Sequence, residues 1–382
     1  MTAPFAGCSP GRYLGDDGRS APTSTPHLVI DLPTVRDNVA RVLEAAGGPD
    51  RWRPHLKTSK LSEVWTLLRE QGLNRFKCAT VLELSQLLSI APEADCVLAH
   101  HPDEAACRAL GTLARAHPRA RIACLVEQPA DLDRIPGEVG LFVDVDPGMH
   151  RSGLDPRRRE PIVELVRQAG PRCRGIHFYD GHLRDGDEAS RRQRAHAGYD
   201  LLLELDAAAG GCGELVTSGT PSFLHALAHR GLAGTGRHSV SPGTVVLHDG
   251  MSERLPEIAR LGLVPAAAVV ATVVSHPGAT LATAHAGSKS ISADVPAPCC
   301  TVLGHPGAIP LGASEEHLPI EFARADTRPA RGERVVLVPE HVCPTVNLAR
   351  SILLQDQGTR RVVPNPAGGH PSPIGSGAAA SG

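Results

Sequence analysis

A regular alternation of short apolar runs and helical patterns, from Leu28 to about Asp249, most constrains what this chain can fold into. Short runs rich in apolar and β-branched residues predict strands, and apolar residues at helical spacing predict helices. The predicted strands are Leu28–Asp31, Trp52–His55, Phe76–Ala79, Cys96–Ala99, Arg121–Val126, Leu141–Asp144, Gly175–Tyr179, Leu215–Ser218 and Arg237–Val240. The predicted helices are Leu32–Ala46, Leu61–Gln71, Val81–Ser89, Asp103–Ala116, Pro161–Ala169, Asp187–Ala208 and Pro221–His229.

Eight strands that alternate with helices over about 220 residues indicate a (β/α)8 barrel of the TIM type. An open doubly wound sheet is the alternative. No Gly-x-Gly-x-x-Gly follows a predicted strand, which disfavours a dinucleotide-binding sheet.

The chain changes character after Leu261, where short runs rich in Val, Ala and Thr are separated by Gly and Pro. This pattern predicts an all-β domain. Its predicted strands are Val264–Ser275, Thr280–Ala284, Cys300–Leu303, Leu318–Ala323 and Arg334–Val338. The leading strand Leu28–Asp31 fits either domain. We therefore expect a flexible N-terminal segment at 1–26, the barrel at 27–255, a C-terminal β domain at 256–364 and a flexible tail at 365–382.

Composition excludes several classes of function. A net charge of −2 implies no nucleic-acid partner and no anionic membrane partner. No apolar run approaches the roughly 18 residues of a membrane-spanning helix, and the N-terminus has no basic-then-apolar signal pattern. None of the ten cysteines forms a Cys-x-x-Cys pair, and several lie in apolar runs, so we expect a cytoplasmic protein with free thiols.

Lys57 follows a predicted strand and precedes a predicted helix, in the segment Arg53-Pro54-His55-Leu56-Lys57-Thr58. Barrel enzymes keep their sites at the carboxyl ends of the strands. A partly desolvated lysine there is suited to Schiff-base chemistry, because it can lose its proton. A lone lysine is more often a surface charge. Polar residues at the other strand ends include Lys77, Thr80, His100, His101, Glu127, Asp144, Asp146, His177, Tyr179, Asp180, His182, Thr217, Ser218, Thr220, His238 and Ser241.

Two further segments suit anion binding. Arg151 follows an apolar strand and stands between two glycine turns, where it could donate to a phenolate or phosphate oxygen or pair with a nearby aspartate. Ser218-Gly219-Thr220-Pro221 joins a strand to a helix, so its hydroxyls and backbone N–H groups could cradle a phosphate. The same residues also form a common helix cap.

His341 and Cys343 are two residues apart, which on a strand would place both on one face as ligands of one metal. An imidazole and a thiolate favour zinc over magnesium or calcium. The alternative is a buried cysteine beside a hydrogen-bonded histidine.

Together these segments resemble the metal-activated fold-type III pyridoxal phosphate enzymes, the group that contains D-threonine aldolase, D-serine dehydratase and 3-hydroxy-D-aspartate lyases. The resemblance covers about residues 25–355. Six motifs carry it in the family's order, namely Arg53-Pro54-His55-x-Lys57-Thr58, Asp146-x-Gly148-Met149-x-Arg151-x-Gly153, Tyr179-Asp180-Gly181-His182, Ser218-Gly219-Thr220-Pro221, Pro242-Gly243-Thr244 and His341-x-Cys343-Pro344-Thr345-x-Asn347.

The resemblance implies an alanine racemase-like barrel with a C-terminal β domain, usually in a homodimer. It also implies a small-molecule D-amino acid as substrate and pyridoxal 5'-phosphate with a divalent metal as cofactors, zinc first and manganese as an alternative. Lys57, Tyr179 and His182 would be catalytic. The cofactor would be held by Lys57, His55, Arg151, Tyr179, Ser218, Gly219, Thr220, Gly243 and Thr244. The metal would be held by His341 and Cys343.

Three positions and one turn depart from the family pattern. Ser59 stands where a histidine is frequent, Val245 where a tyrosine is common, and His285 where an aspartate is expected. The turn Ser218-Gly219-Thr220 is one glycine shorter than the usual phosphate turn. The resemblance implies a lyase acting on β-hydroxy-D-amino acids, either an aldolase that releases glycine and an aldehyde or a dehydratase that releases ammonia and a 2-oxo acid. We favour the aldolase. An amino-acid racemase and a non-catalytic cofactor-binding protein are the further alternatives.

Overall fold

The computed structural model describes Phe5, residues 8–14 and residues 24–369, and two sheets organise it. The strands are β1 His27–Asp31, β2 Arg75–Cys78, β3 Asp95–Leu98, β4 Arg121–Val126, β5 Gly140–Val145, β6 Cys173–Phe178, β7 Glu214–Thr217, β8 His238–Val240, β9 Ala267–Ser275, β10 Leu281–His285, β11 Cys300–Val302, β12 Ile309–Pro310, β13 His317–Glu321, β14 Arg334–Pro339, β15 Ser351–Asp356 and β16 Thr359–Pro364. The helices are α1 Gly11–Leu14, α2 Leu32–Ala46, α3 Ser62–Glu70, α4 Val81–Ile90, α5 Glu104–Ala116, α6 Pro129–Arg134, α7 Arg159–Ala169, α8 Glu188–Ala208, α9 Phe223–Ala228, α10 Arg230–Gly234, α11 Gly250–Glu253, α12 Pro256–Ala259 and α13 Val342–Leu348.

Strands β2 to β8 form a parallel sheet in chain order, with helices between them. The sheet closes through two parallel bridges, from Trp52 to Val240 and from His55 to Lys77. The predicted (β/α)8 barrel with a C-terminal β domain is therefore confirmed, and the open doubly wound alternative is wrong. The carboxyl ends of the strands meet at one rim, as the position of Lys57 requires.

The predicted strand Trp52–His55 is wrong as a regular strand, because only its two ends make bridges. Pro54 has no N–H to donate to a ladder, although its carbonyl accepts from the N–H of Lys77 at 3.0 Å. The fully buried guanidinium of Arg53 replaces the missing ladder. It donates to the carbonyls of Phe76 and Asp95, at 3.2 and 3.0 Å, and to the carboxylate of Glu214.

The second sheet is mixed and has nine strands. Strand β1 lies inside it, parallel to β15 and antiparallel to β9. The leading strand, which the sequence left unassigned, thus pairs with the C-terminal strands, and the boundary near residue 255 stays a prediction. Strands β15 and β16 were not predicted.

The expected flexible segments at 1–26 and 365–382 lie mostly outside the described residues. In the described part of the first segment, α1 buries Tyr13, whose hydroxyl donates to the carbonyl of Pro265 at 2.5 Å. No helix among the described residues combines the length and apolarity needed to cross a membrane.

Candidate active site

Lys57 lies at the barrel rim in a short 3-10 turn, Leu56–Thr58, directly after the bridge residue His55. The backbone N–H of Lys57 donates to Nδ1 of His55 at 3.4 Å, so the histidine side chain caps the turn. Burial lowers the pKa of His55 well below its ordinary value, and the nearby Lys57 and Lys77 lower it further. A neutral His55 therefore supports the lysine-bearing turn.

The phenol ring of Tyr179, just after β6, lies among three basic side chains. The guanidinium carbon of Arg151 is 4.5 Å from the ring centroid, Nζ of Lys77 is 5.1 Å away and Nζ of Lys57 is 6.0 Å away. These side chains line one cavity of about 340 Å³. The guanidinium of Arg151, which is always charged, makes the cavity attractive to an anionic ligand.

A second row of polar groups lies behind Tyr179. His177 is parallel to the tyrosine ring at 6.4 Å between centroids, and its Nδ1 lies 2.7 Å from Oδ1 of Asp144. Ser152 donates to the other oxygen of Asp144 at 2.9 Å. Burial alone would raise the pKa of Asp144, but His177 and Ser152 hold it below its ordinary value. Asp144 is therefore a buried carboxylate that orients His177.

His182 lies in the turn after Tyr179, against the loop that carries Arg151. A Cβ placed on Gly148 of that loop would be 3.8 Å from Nε2 of His182. Burial lowers the pKa of His182, and its buried Nδ1 has no hydrogen-bond partner among the described residues. A neutral imidazole can accept a proton, although His182 is not among the residues that line the cavity with Lys57.

Ser218, Gly219 and Thr220 form a tight junction between β7 and α9. Ser218 is fully buried with φ of 61°, a conformation that costs energy for a residue other than glycine. A Cβ on Gly219 would lie 2.9 Å from Cε2 of Tyr179. The buried hydroxyl of Thr220 has no partner among the described residues. A strained junction with an unpaired hydroxyl fits a phosphate group.

Gly243 and Thr244 approach the same turn from the end of β8. A Cβ on Gly243 would lie 2.4 Å from the carbonyl oxygen of His55 and 3.0 Å from Oγ1 of Thr58, so only glycine fits. Thr244 begins a short 3-10 turn, and its hydroxyl lies 3.5 Å from Sγ of Cys343. Thr244, predicted to bind the cofactor, thus also contacts the predicted metal pair.

The expectation that His341 and Cys343 share a strand face is wrong. Strand β14 ends at Pro339, His341 is the N-terminal cap residue of α13 and Cys343 lies in its first turn. Pro344 explains the difference, because its fixed φ and missing N–H suit the first turn of a helix and interrupt a strand. The two side chains still interact across this turn. Although burial alone would raise the pKa of Cys343, hydrogen bonding to His341 and the charge of Lys57 lower it.

The donor set fits a divalent metal. Nδ1 of His341 lies 2.6 Å from Oδ2 of Asp294, the arrangement in which a carboxylate orients a metal-binding imidazole through its other nitrogen. Within residues 8–14 and 24–369, no group of three or more His, Cys, Asp or Glu side chains could hold a metal ion. His341 and Cys343 would therefore leave coordination positions open to substrate and water, as catalytic rather than structural sites do.

The three departures have separate surroundings. The hydroxyl of Ser59 accepts a hydrogen bond from Nε1 of Trp65 at 2.9 Å, so it supports the start of α3. Val245 is fully buried in the core. His285 is 40% exposed and lies 4.0 Å from Glu316, away from the cavity. None of these three residues lines the cavity around Tyr179.

Sequence reasoning collected Lys77, His177 and Asp144 only as polar strand ends and gave them no role. It missed Asp294, because no motif links it to His341, 47 residues later. Asp144 and His177 lie opposite each other on the neighbouring strands β5 and β6, and this position was the available indication for that pair.

A barrel with a lysine at its rim, a phosphate-sized junction nearby and an all-β domain that delivers a histidine and a cysteine defines a class, the fold-type III pyridoxal phosphate enzymes. The sequence profile of the alanine racemase N-terminal domain matches residues 30–246, and that of the serine dehydratase domain matches residues 266–355. The chain belongs to this alanine racemase-like family, in the branch that carries a serine dehydratase domain.

Two curated relatives match most of the chain. D-threonine aldolase of Arthrobacter sp is 26% identical over 357 residues, which cover 88% of this chain and 90% of the relative. D-threo-3-hydroxyaspartate dehydratase of Delftia sp. strain HT23 is 28% identical over 364 residues, which cover 84% and 91%. The crystal structure of D-threonine aldolase from Filomicrobium marinum has a similar fold, with a TM-score of 0.80, 24% identity and coverage of 90% and 96%.

Proposed function

We propose that this protein is a lyase that cleaves β-hydroxy-D-amino acids, with pyridoxal phosphate on Lys57 and a divalent metal on His341 and Cys343. Retro-aldol cleavage to glycine and an aldehyde is the reaction we favour. Both curated relatives, an aldolase and a dehydratase, support a lyase that acts on a substrate of this kind.

One observation carries the proposal, the contact between the lysine-bearing turn and the helix with the metal pair. Oγ1 of Thr58 lies 3.2 Å from Sγ of Cys343, although the two residues are 285 positions apart. The turn that carries the amine and the helix that carries the possible metal pair are therefore in direct contact. A racemase needs no metal, so this contact favours a reaction in which the metal takes part.

Pyridoxal phosphate, when bound, supplies an electron sink for the charge left when a bond to the substrate's α carbon breaks. The residues of this chain would do the rest. Ser218, Gly219, Thr220 and Gly243 would hold the phosphate, and Arg151 would donate to the ring oxygen. Tyr179 would support the ring from one side.

His182 would accept the proton of the substrate's β-hydroxyl, because burial lowers its pKa and keeps it neutral. His341 and Cys343 would hold the metal that lowers the pKa of this hydroxyl. In support of the metal, a solved structure of a D-threo-3-hydroxyaspartate dehydratase is described as a cysteine-to-alanine mutant in the metal-free form. Zinc fits the imidazole and thiolate pair best.

β-Elimination to ammonia and a 2-oxo acid is the second candidate. The observation in its favour is that the serine dehydratase profile covers residues 266–355, which include Cys343. In this reaction the α-proton is removed, and the metal that His341 and Cys343 would hold would supply a Lewis acid for the departing hydroxyl.

The test uses purified protein saturated with pyridoxal phosphate. We would record the visible absorption band before and after borohydride, for the wild type, Lys57→Ala and the control Lys289→Ala. Lys289 is an exposed residue paired with Glu315. The proposal requires that only Lys57→Ala loses the borohydride-sensitive band. A wild-type protein without such a band would contradict the proposal.

The second step adds D-threonine or D-serine, with and without a chelator. Chelator-sensitive release of glycine and aldehyde is the result we expect. Chelator-sensitive ammonia and 2-oxo acid would replace the aldolase with the dehydratase. Racemisation that persists in the chelator would overturn both.

A further inference from the structure

Lysine is rare in this chain. Only four of its 39 basic Lys and Arg residues are lysines, at positions 57, 60, 77 and 289. Lys60 is paired with Glu83 at 2.7 Å, and Lys289 is exposed. Arginine cannot lose its proton in a protein, whereas lysine can. Where a chain uses arginine for nearly all positive charges, a buried lysine without a carboxylate partner therefore needs a separate explanation.

Lys77 is such a residue. It is 1% exposed on β2, and no carboxylate within residues 24–369 forms an ion pair with it. Its Nζ lies 3.2 Å from Nε2 of His177 and lines the same cavity as Lys57. A permanently charged ammonium would be costly in this place, because burial removes its hydration and nothing pairs with it.

Only one assignment of donors and acceptors fits the hydrogen bonds around Lys77. Asp144 is a carboxylate and can only accept, so His177 donates to it from Nδ1–H. Burial lowers the pKa of His177, so its ring is neutral and Nε2 is an acceptor. Lys77 therefore donates to Nε2 of His177. An uncharged Lys77 keeps a nitrogen lone pair for the cavity.

The charged groups around Lys77 also favour the amine. Burial lowers its pKa well below the ordinary value, and Lys57 and Arg151 lower it further. Asp144 acts in the opposite direction, and Arg53 lowers the pKa again from the far end of the barrel. Burial lowers the pKa of the neighbouring His55 and His177, so both rings are neutral and add no charge of their own near Lys77.

We propose that Lys77 is a second catalytic amine of this site, which takes up and returns the proton on the α carbon of the bound amino acid. His177 and Asp144 act as its positioning residues. The proposal rests on the proposed function, because it needs the cofactor on Lys57 in the same cavity.

The proton balance is simple. The α-proton leaves carbon and binds Nζ of Lys77, the electron pair stays with the substrate and its cofactor, and the ammonium donates to Nε2 of His177. In the reverse step Nζ gives the proton back to the α carbon. In β-elimination the removal precedes the loss of the hydroxyl. In retro-aldol cleavage the Cα–Cβ bond breaks and no α-proton is removed, so Lys77 first takes a proton from solvent and then gives it to the α carbon to complete glycine, while the proton of the β-hydroxyl passes to His182. The step therefore serves either of the two candidate reactions.

The first test measures the charge of Lys77 without using activity. Lysine labelled with ¹³C at Cε gives four resonances, which single Lys→Met variants assign. We expect Lys77 to titrate well below Lys289, because burial lowers the pKa of Lys77 and two glutamate partners raise that of Lys289. Titration of Lys77 together with Lys289 would overturn the proposal.

The second test follows the exchange of the α-proton of glycine with deuterium in D2O, by NMR, on the cofactor-loaded protein. We expect Lys77→Met to lower the exchange rate by about 100-fold or more, with the Lys57-dependent absorption band retained. Lys289→Met is the matched control and should stay within twofold. Unchanged exchange in Lys77→Met would overturn the proposal.

Two more variants distinguish a Lys77 that acts as a base from a Lys77 that acts only as a fixed positive charge. Lys77→Arg keeps the charge but cannot lose a proton, so restored exchange in this variant would refute the role as a base. His177→Gln keeps the amine and removes its orienting ring, and we expect a loss of at least tenfold together with a shifted Lys77 titration. It also serves if Lys77→Met fails to fold, and full exchange in it would refute the positioning role.

The experiments distinguish a failure of the proposed function from a failure of the role proposed for Lys77. If the wild type forms no borohydride-sensitive band, the proposed function fails and the catalytic role of Lys77 fails with it. If the band and turnover are present but Lys77→Met exchanges at the wild-type rate, only the role of Lys77 is refuted.

Discussion

Replacing Arg53 with methionine tests how the lysine-bearing segment is held in the barrel. Arg53 is fully buried and joins the irregular segment before Lys57 to β2, β3 and β7. Methionine fills a similar volume but cannot donate hydrogen bonds. The two carboxylates that face Arg53 then lose their shared partner.

Most of the expected loss of stability comes from Glu214. Asp95 keeps Arg174 at 2.7 Å, whereas Glu214 keeps only Arg75 at 3.4 Å and a hydroxyl. Burial alone would raise the pKa of Glu214, but Arg53 holds it at about 2, against an ordinary value of 4.5. At about 1.4 kcal/mol per unit this difference corresponds to about 3 kcal/mol. Breaking a buried ion pair costs about 3–5 kcal/mol in general, so we expect Arg53→Met to lose about 3–4 kcal/mol at pH 7.

Urea unfolding followed by circular dichroism measures this loss. Because the folded pKa of Glu214 is depressed, its contribution is present above about pH 4.5 and disappears as the pH falls towards 2. The wild type should therefore lose stability across this window, and Arg53→Met should lose much less. Adding Glu214→Gln to Arg53→Met should recover part of the loss, because no uncompensated carboxylate then remains at that position. A loss below about 1 kcal/mol in Arg53→Met would refute the reasoning.

Two further predictions concern the cofactor and the metal. Gly243→Ala places a Cβ 2.4 Å from the carbonyl of His55, so we expect at least about a tenfold loss of cofactor affinity, measured by titrating the absorption band, whereas Gly234→Ala, with open space around its Cβ, should bind normally. Asp294→Asn weakens the hydrogen bond that orients His341, so we expect metal affinity, measured by chelator competition, to fall by about 10–100-fold. Equal cofactor affinities for the two alanine variants, or unchanged metal binding in Asp294→Asn, would contradict these roles.

Much of the fold follows from local patterns in the sequence. Helix α2 and strand β4 have the predicted bounds, because apolar periodicity and flanking turn residues determine such elements locally. The position of β1 does not follow, since the choice between the two sheets depends on partners more than 230 residues away. Strand β16 is also missed, because it is mostly exposed and carries two arginines, so it lacks a buried apolar face.

The candidate site, like the fold, is only partly predictable from the sequence. Lys57, Arg151 and the junction at Ser218 are recognisable because each motif is contiguous. The contact of Thr58 with Cys343 and the pairing of His177 with Asp144 join separate motifs, and only the folded chain shows them. The assigned roles of these residues, the homodimer and the cytoplasmic location stay predictions.

The pairing of β1 has a consequence for how the chain can be divided. The polypeptide starts one sheet, leaves it to build the whole barrel and then returns to surround its own first strand with β9 and β15. A fragment cut near residue 255 would therefore keep β1 with both edges unpaired, and such edges promote aggregation. The complementary fragment would have a gap between its two central strands. Circular permutation that moves residues 24–31 behind residue 364 is the rearrangement that would yield a contiguous barrel and a complete second sheet.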